Sequence, residues 1–201
     1  MAPPLTVTHL TAPPLILAST SRYRRELLER LRLPFEAHAP GVDETEAPGE
    51  SPRETALRLA REKARALSRR FPHAVVIGSD QIAEVAGTRL NKPGDHANAV
   101  AQLRLMSGRT VHFHSAMAVT GPGREIAEVV PTLVRMRTLA DDEIERYLRA
   151  EQPYDCAGSA KSEGLGIALI DAIESDDPTA LIGLPLIRLC AMLREFGYVL
   201  P

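Results

Sequence analysis

The 201-residue sequence predicts an α/β fold, and three observations predict it. Short apolar runs of strand length alternate with segments of helical period along the chain. No internal repeat, heptad series or low-complexity tract interrupts that alternation. Hydrophobic residues make up 44% and charged residues 25% of the chain, a folded globular balance that excludes disorder as the dominant state. The length suits one large domain. Residues 1–13, rich in proline and threonine, read as a flexible N-terminal extension, and 14–201 as a single domain.

The elements follow in order. Leu15 to Ala18 is a short buried strand, and Ser19-Thr20-Ser21 begins a helix with Leu27, Leu28 and Leu31 at helical spacing, ending near Leu33-Pro34. Ser51-Pro52-Arg53-Glu54 is a capping box with proline at the first helical position. Ala56, Leu57, Ala60, Ala64 and Leu67 mark one face of that second helix, which stops before Pro72. Ala74 to Gly78 reads as a second buried strand leading into Ser79-Asp80-Gln81, with a hairpin turn at Ala86-Gly87 beyond. A helix carrying Ala99, Leu103 and Met106 ends at Gly108. Alternation from Val111 to Val119 predicts a half-exposed strand, paired with Glu125 to Arg137 across Gly121-Pro122-Gly123. Asp141-Asp142 opens a helix with Ile144, Tyr147 and Leu148 inward, its acidic start suiting the helix dipole. A glycine-rich stretch, residues 157–166, precedes an expected strand from Ile167 to Ile170. The last helix runs from about Pro185 to Phe196, with Gly197 as its stop.

Charge excludes some functions. Lys and Arg total 24 against 26 Asp and Glu, a net charge of −2, which offers no basic face for generic nucleic-acid binding. A small anion held by a few converging cations remains compatible with that balance. Two cysteines permit at most one disulfide, and no apolar run approaches the roughly 20 residues of a membrane span. The expectation is a soluble cytoplasmic protein with no membrane partner.

Two segments carry chemistry. In residues 19–25, Ser19-Thr20-Ser21-Arg22-Tyr23-Arg24-Arg25, hydroxyls and free amides at a helix N-terminus are followed by guanidinium groups, all donors to an oxyanion such as phosphate. The same pattern also describes a capped surface helix with solvated arginines. In Val75-Val76-Ile77-Gly78-Ser79-Asp80-Gln81, a carboxylate just past a buried strand lies where α/β sheets bind ligands, and the glycine would let a substrate approach the backbone. Asp80 there could hold a divalent cation or take a proton from water, or simply close the strand as an Asx turn. Lys63, Lys92 and the acidic run Val42-Asp43-Glu44-Thr45-Glu46 are ambiguous when taken one at a time.

These segments, with Glu62-Lys63-Ala64, Lys92-Pro93 and Ala157-Gly158-Ser159, occur in the order seen in the Maf family of nucleoside triphosphate pyrophosphatases, and the chain from Leu15 onward resembles it. Gly78-Ser79-Asp80-Gln81, Lys161-Ser162-Glu163-Gly164 and Ile182-Gly183-Leu184-Pro185-Leu186 look like the 7-methyl-GTP branch rather than the dTTP/UTP branch. The resemblance implies a bent mixed β-sheet with flanking helices, two lobes around a nucleotide cleft, and divalent-metal-assisted cleavage between the α and β phosphorus atoms. By this likeness Asp80 is the proton acceptor, and Ser19, Ser21, Arg24, Lys63, Lys92 and Glu44 line the phosphate site. Asp80 and Glu44 are the candidate ligands for Mg²⁺ or Mn²⁺. Tyr23, Gln81 and Glu163 fall on the base-reading positions, where an aromatic face and a carboxylate suit the cationic ring of 7-methylguanine. The branch often has tryptophan at position 23 and proline at position 22, and Arg22 here adds a positive charge close to the base site. The likeness also implies a homodimer. The alternatives are the same reaction on dTTP, UTP or CTP, or a non-catalytic binding protein acting in cell-division control.

Other features carry less. His112-Phe113-His114 lacks an evident third metal ligand, Cys156 lacks a histidine partner, and Gly164-Leu165-Gly166 is too short for a dinucleotide fingerprint.

Overall fold

A computed structural model describes residues 12–201; the expected extension falls largely on 1–11, outside the described residues. Seven strands form one mixed sheet in the order β2-β1-β3-β5-β6-β7, with β4 paired to β3. They are β1 (Leu15–Ala18), β2 (Glu36–His38), β3 (Val75–Val85), β4 (Thr88–Leu90), β5 (Thr110–Gly121), β6 (Arg124–Met136) and β7 (Ile170–Ser175). The helices are α1 (Arg22–Glu29), α2 (Pro52–Ser68), α3 (His96–Met106), α4 (Asp141–Glu151) and α5 (Leu186–Glu195). Strand β1 runs parallel to β2 and β3, and the remaining pairings are antiparallel.

Because β3, β5 and β6 are 11 to 13 residues long, they span two lobes. In the first lobe α2 covers one sheet face, burying Ala56, Ala60 and Ala64 against Val76, Ala116 and Ala118. On the opposite face α1 and α5 bury Leu27, Leu28, Leu189 and Leu193 against Val75, Ile77 and Met117. In the second lobe α3 and α4 pack Leu103, Met106, Ile144 and Leu148 on Phe113, Val134 and Met136. The capping box at Ser51 and Glu54 starts α2 as expected. The Ala86-Gly87 hairpin has both residues at positive φ, 49° and 75°, which the primed turn requires.

Three expectations need correction. The second strand continues beyond Gly78 to Val85, so Asp80 lies inside β3 and not past its end. Strand β5 is half-exposed only near His112 and His114; from Ser115 both faces are buried, because α2 covers Ala116 and Ala118. Residues Leu165–Leu169 curl into a 3₁₀ turn, and the strand begins at Ile170, the residue at which the sequence pattern ends it. That turn is held by Glu151, which accepts from the Leu165 amide at 2.8 Å. It also needs Gly166, where a Cβ would sit 2.6 Å from the Lys161 backbone.

The start of α5 has no cap from its own N-cap residue, Pro185. Asp177, fully buried, supplies one from a distance, accepting from the amides of Ile187 and Arg188 at 2.7 and 3.2 Å. Its other oxygen accepts from the amide and hydroxyl of Thr179 at 3.1 and 2.7 Å. Asp177→Ala removes the acceptor from four donors in a dry site. It should lower unfolding stability by about 2–4 kcal/mol, read as a shifted urea midpoint at unchanged slope.

Candidate active site

The place of the site follows from unequal strand lengths. Strand β1 pairs with β3 only from Val75 to Gly78 and stops at Ala18, while β4 pairs with β3 only from Ala83. Residues 79–82 therefore have no strand neighbour on that side, and a cleft of about 690 Å³ opens there, a volume within the usual range for a small-molecule site. Asp80 does lie beyond a buried strand's carboxyl end, but that strand is β1.

Period-2 alternation divides β3 between two tasks. Gly78 and Asp80 face α2, and Ser79 and Gln81 face the loop before α5. Ala60 and Ala64 of α2 come so close at Gly78 that a Cβ would lie 2.2 Å from the Ala60 carbonyl oxygen and 2.5 Å from the Ala64 nitrogen. The glycine thus serves helix packing, where the sequence suggested substrate approach. The close approach brings Lys63 onto Asp80: its Nζ donates to Asp80 Oδ1 at 2.7 Å and lies 2.7 Å from Glu44 Oε1. Lys63 and Asp80 are both buried, at 4% and 7% exposure. Asp80 Oδ2 makes no hydrogen bond to any described residue and Asp80 lines the cleft, leaving that oxygen free for a ligand or water.

On the other side of β3, Ser79 Oγ lies 2.9 Å from the Gly183 carbonyl oxygen. Gln81 Nε2 donates to Ser115 Oγ and to the carbonyls of Ala180 and Leu181 at 2.8 to 3.0 Å. Gln81's amide nitrogen is thus spent on holding residues 180–183 in place, and only its oxygen is left to orient a ligand.

Helix α1 is capped by Ser21, whose Oγ accepts from the Arg24 amide, while Ser19 Oγ accepts from the Ser21 amide at 3.1 Å. Arg24 Nε donates to the Gly183 carbonyl at 3.1 Å, which fixes its guanidinium toward the cleft. Burial lowers its pKa from the usual arginine value, opposed by Asp80 and Glu44. Arg25, by contrast, is exposed and does not line the cleft. Of the acidic run only Glu44 reaches the cleft, because Asp43 accepts from the Thr45 amide and Glu46 pairs with Arg89. Its loop is strapped to α2 by Arg58, which pairs with Glu50 at 2.6 Å and donates to the Thr45 carbonyl at 3.1 Å. Burial pushes the Glu44 carboxyl up, but Lys63, Arg24 and Lys92 outweigh it and hold it below the usual range, so it is anionic at neutral pH.

Every residue the sequence nominated lines this one cleft: Ser19, Ser21, Tyr23, Arg24, Glu44, Lys63, Asp80, Gln81, Lys92 and Glu163. Arg89, Asn91 and Asp155 line it too and went unrecognised; Cys156, which the sequence reading set aside as a packed thiol, also lines it. Asp155 gave no signal, since one acidic residue before a cysteine has no motif of its own. It accepts from the Tyr23 hydroxyl at 3.2 Å, and Arg22 Nη2 lies 3.8 Å from it. Arg22 also donates to the Tyr23 oxygen at 2.7 Å, with its guanidinium carbon 4.7 Å from the ring centroid. One cation thus already sits against the Tyr23 face. Burial, then the nearby carboxylates of Asp155 and Glu163, push the Cys156 thiol up to about 11, against the Tyr23 hydroxyl. The thiol stays protonated, and both Cys156 and Cys190 are free.

Among the described residues no three His, Cys, Asp or Glu side chains cluster into a metal cage. Asp80 and Glu44 nevertheless converge, each 2.7 Å from Lys63 Nζ. Two carboxylates beside a phosphate-sized cleft form a donor set that suits a hard divalent cation completed by substrate phosphates. His114, from the His-Phe-His segment, pairs with Glu84 at 2.8 Å, away from this cleft. No helix among the described residues is long and apolar enough to cross a membrane.

Similar proteins accord with this geometry. A relative from Polaromonas sp. is 62% identical over 192 residues, covering 94% of this chain and 88% of its own. One from Burkholderia thailandensis is 63% identical over 193 residues, covering 94% and 90%. One from Bordetella pertussis is 63% identical over 186 residues, covering 92% and 93%. All three bear the name 7-methyl-GTP pyrophosphatase. A solved structure, the Staphylococcus aureus Ham1 protein, is 21% identical with a TM-score of 0.41, covering 64% of this chain and 72% of that one. That likeness is too remote to bear on the site. The family model described as "Maf-like protein" matches residues 14–196, and the chain belongs to the Maf family.

Proposed function

We propose that the chain hydrolyses 7-methyl-GTP to 7-methyl-GMP and diphosphate, removing a modified nucleotide from the pool, with residues 14–201 acting as one catalytic domain. The convergence of Arg24, Lys63, Lys92, Glu44 and Asp80 on one cleft carries the reading. A triphosphate carries several negative charges, and Arg24 and Lys92 beside a helix N-terminus, with Lys63 offsetting the two carboxylates, make the site net positive in a net-acidic chain. The names of its relatives supply the base.

In this reading the polyphosphate lies against the amides and hydroxyls of Ser19 and Ser21, with Arg24 and Lys92 on its oxygens. Asp80 Oδ2 takes a proton from water as the water oxygen bonds to the α phosphorus and the bond from that phosphorus to the α–β bridging oxygen breaks, the electron pair leaving on that oxygen with diphosphate. Lys63 holds Asp80 Oδ1 and keeps the carboxylate oriented. Mg²⁺ or Mn²⁺ would be held by Asp80 and Glu44 with phosphate oxygens, and such a cation neutralises charge on the transferring group. Tyr23, Gln81 and Glu163 form the base end.

Rates of diphosphate release across 7-methyl-GTP, GTP, dTTP, UTP and CTP, with Mg²⁺ and with Mn²⁺, test this. The expected outcome is fastest release from 7-methyl-GTP; a rate on UTP as high would reassign the base. Tyr23→Ala should lower kcat/KM for 7-methyl-GTP about 3- to 30-fold more than for GTP, the worth of one cation–π contact. Equal losses on both would remove the aromatic rationale.

A further inference from the structure

We propose that Asp155 is a specificity-determining residue that keeps the base end of the cleft negative despite Arg22, and so allows it to prefer a cationic base. The inference rests on the proposed 7-methyl-GTP reading and deepens it.

The charges at that end can be counted from their pairings. Lys161 is matched by Glu151, with Nζ and Oε1 2.9 Å apart. Arg22 is matched by Asp155 at 3.8 Å, and both meet the Tyr23 hydroxyl. That leaves Glu163 as the unbalanced charge among the residues of this rim: among the described residues no cation forms an ion pair with it, and the nearby Lys161 is engaged by Glu151. Take Asp155 away and Arg22 is left unmatched. One positive and one negative charge then flank the base, and the rim no longer distinguishes a cationic ring from a neutral one.

Geometry supports the pairing as a working part of the site. Asp155 lies 132 residues from Tyr23 in sequence, yet it and Arg22 both line the cleft and both hold the Tyr23 hydroxyl. Their side chains are 56% and 64% exposed, so neither is required by the core. The guanidinium lying over Tyr23, 4.7 Å from the ring centroid, is itself a planar delocalised cation, as is the methylated imidazole ring. The aromatic face and carboxylate therefore already hold a cation of the kind the substrate would present.

The test compares kcat/KM for 7-methyl-GTP and for GTP in wild type, Asp155→Asn, and the double variant Arg22→Gln/Asp155→Asn. Asparagine keeps an acceptor for Tyr23 and removes only the charge. Asp155→Asn should reduce the ratio of 7-methyl-GTP to GTP about five- to twentyfold, carried by KM, as expected for one charge at partly screened range. The double variant should restore the ratio, because Glu163 is again unbalanced. A structural role for Asp155 would instead weaken both nucleotides alike and would not be rescued by removing Arg22. A wild type without preference for 7-methyl-GTP overturns the underlying reading. A wild-type preference that Asp155→Asn leaves intact, or that the double variant fails to restore, overturns this inference alone. Thermal melting of each variant establishes that the comparison is between folded proteins.

Discussion

Asp80→Asn should lower diphosphate release by about 10²- to 10⁴-fold, the range a positioned general base contributes. The variant should stay folded. Asparagine matches the shape of aspartate and keeps an oxygen for Lys63, and Lys63 retains Glu44 at 2.7 Å. The melting temperature should therefore fall by only a few degrees, since a buried ammonium loses one of two anionic partners but not both. Diphosphate release and thermal melting, measured on the same preparation, separate the two effects. A folded Asp80→Asn protein releasing diphosphate within about threefold of wild type would mean that another group takes the proton.

Gly78→Ala is the second large effect, and it acts on stability first. The added Cβ would meet the Ala60 carbonyl oxygen at 2.2 Å and the Ala64 nitrogen at 2.5 Å. Both are backbone atoms of a regular helix, so no side chain can rotate away to relieve the contact. Helix α2 must move off β3 as a body, opening the interface built by Ala56, Ala60 and Ala64. The expected cost is about 3 kcal/mol or more, a melting temperature lower by roughly 10 °C in a chain of this size. Activity below the new melting point should also fall, because Lys63 lies between Ala60 and Ala64 and moves with them. A melting temperature within about 2 °C of wild type would show that the helix yields cheaply.

Much of the architecture was legible in the sequence because it rests on local chemistry. Ser51-Pro52-Arg53-Glu54 names the start of α2 through hydrogen bonds within one turn. Alternation on Val111 and Phe113, and the reach of the partner segment from 125, named β5 and β6. Where reading failed, a distant element had altered local rules. The burial of Ala116 and Ala118 on the face expected to be exposed depends on α2. The turn at Leu165–Leu169 depends on Glu151 and on the Lys161 backbone, neither of which any periodicity records.

The candidate site divides in the same way. The identities of Ser19, Arg24, Lys63, Lys92, Asp80 and Glu44 were readable as residue types, since motif order along the chain is a sequence property. Their assembly was not. Whether Lys63 is a solvated lysine or a buried partner of Asp80 depends on how closely α2 approaches β3, and that distance is decided by backbone contact at Gly78. Whether Asp80 faces a ligand depends on β1 ending at Ala18 while β3 continues. Composition, spacing and capping chemistry act over a few residues and determined the elements and the kinds of side chain available. Packing, charge pairing and the open edge of β3 act between segments far apart in the chain, so only the folded molecule decided which of those side chains meet.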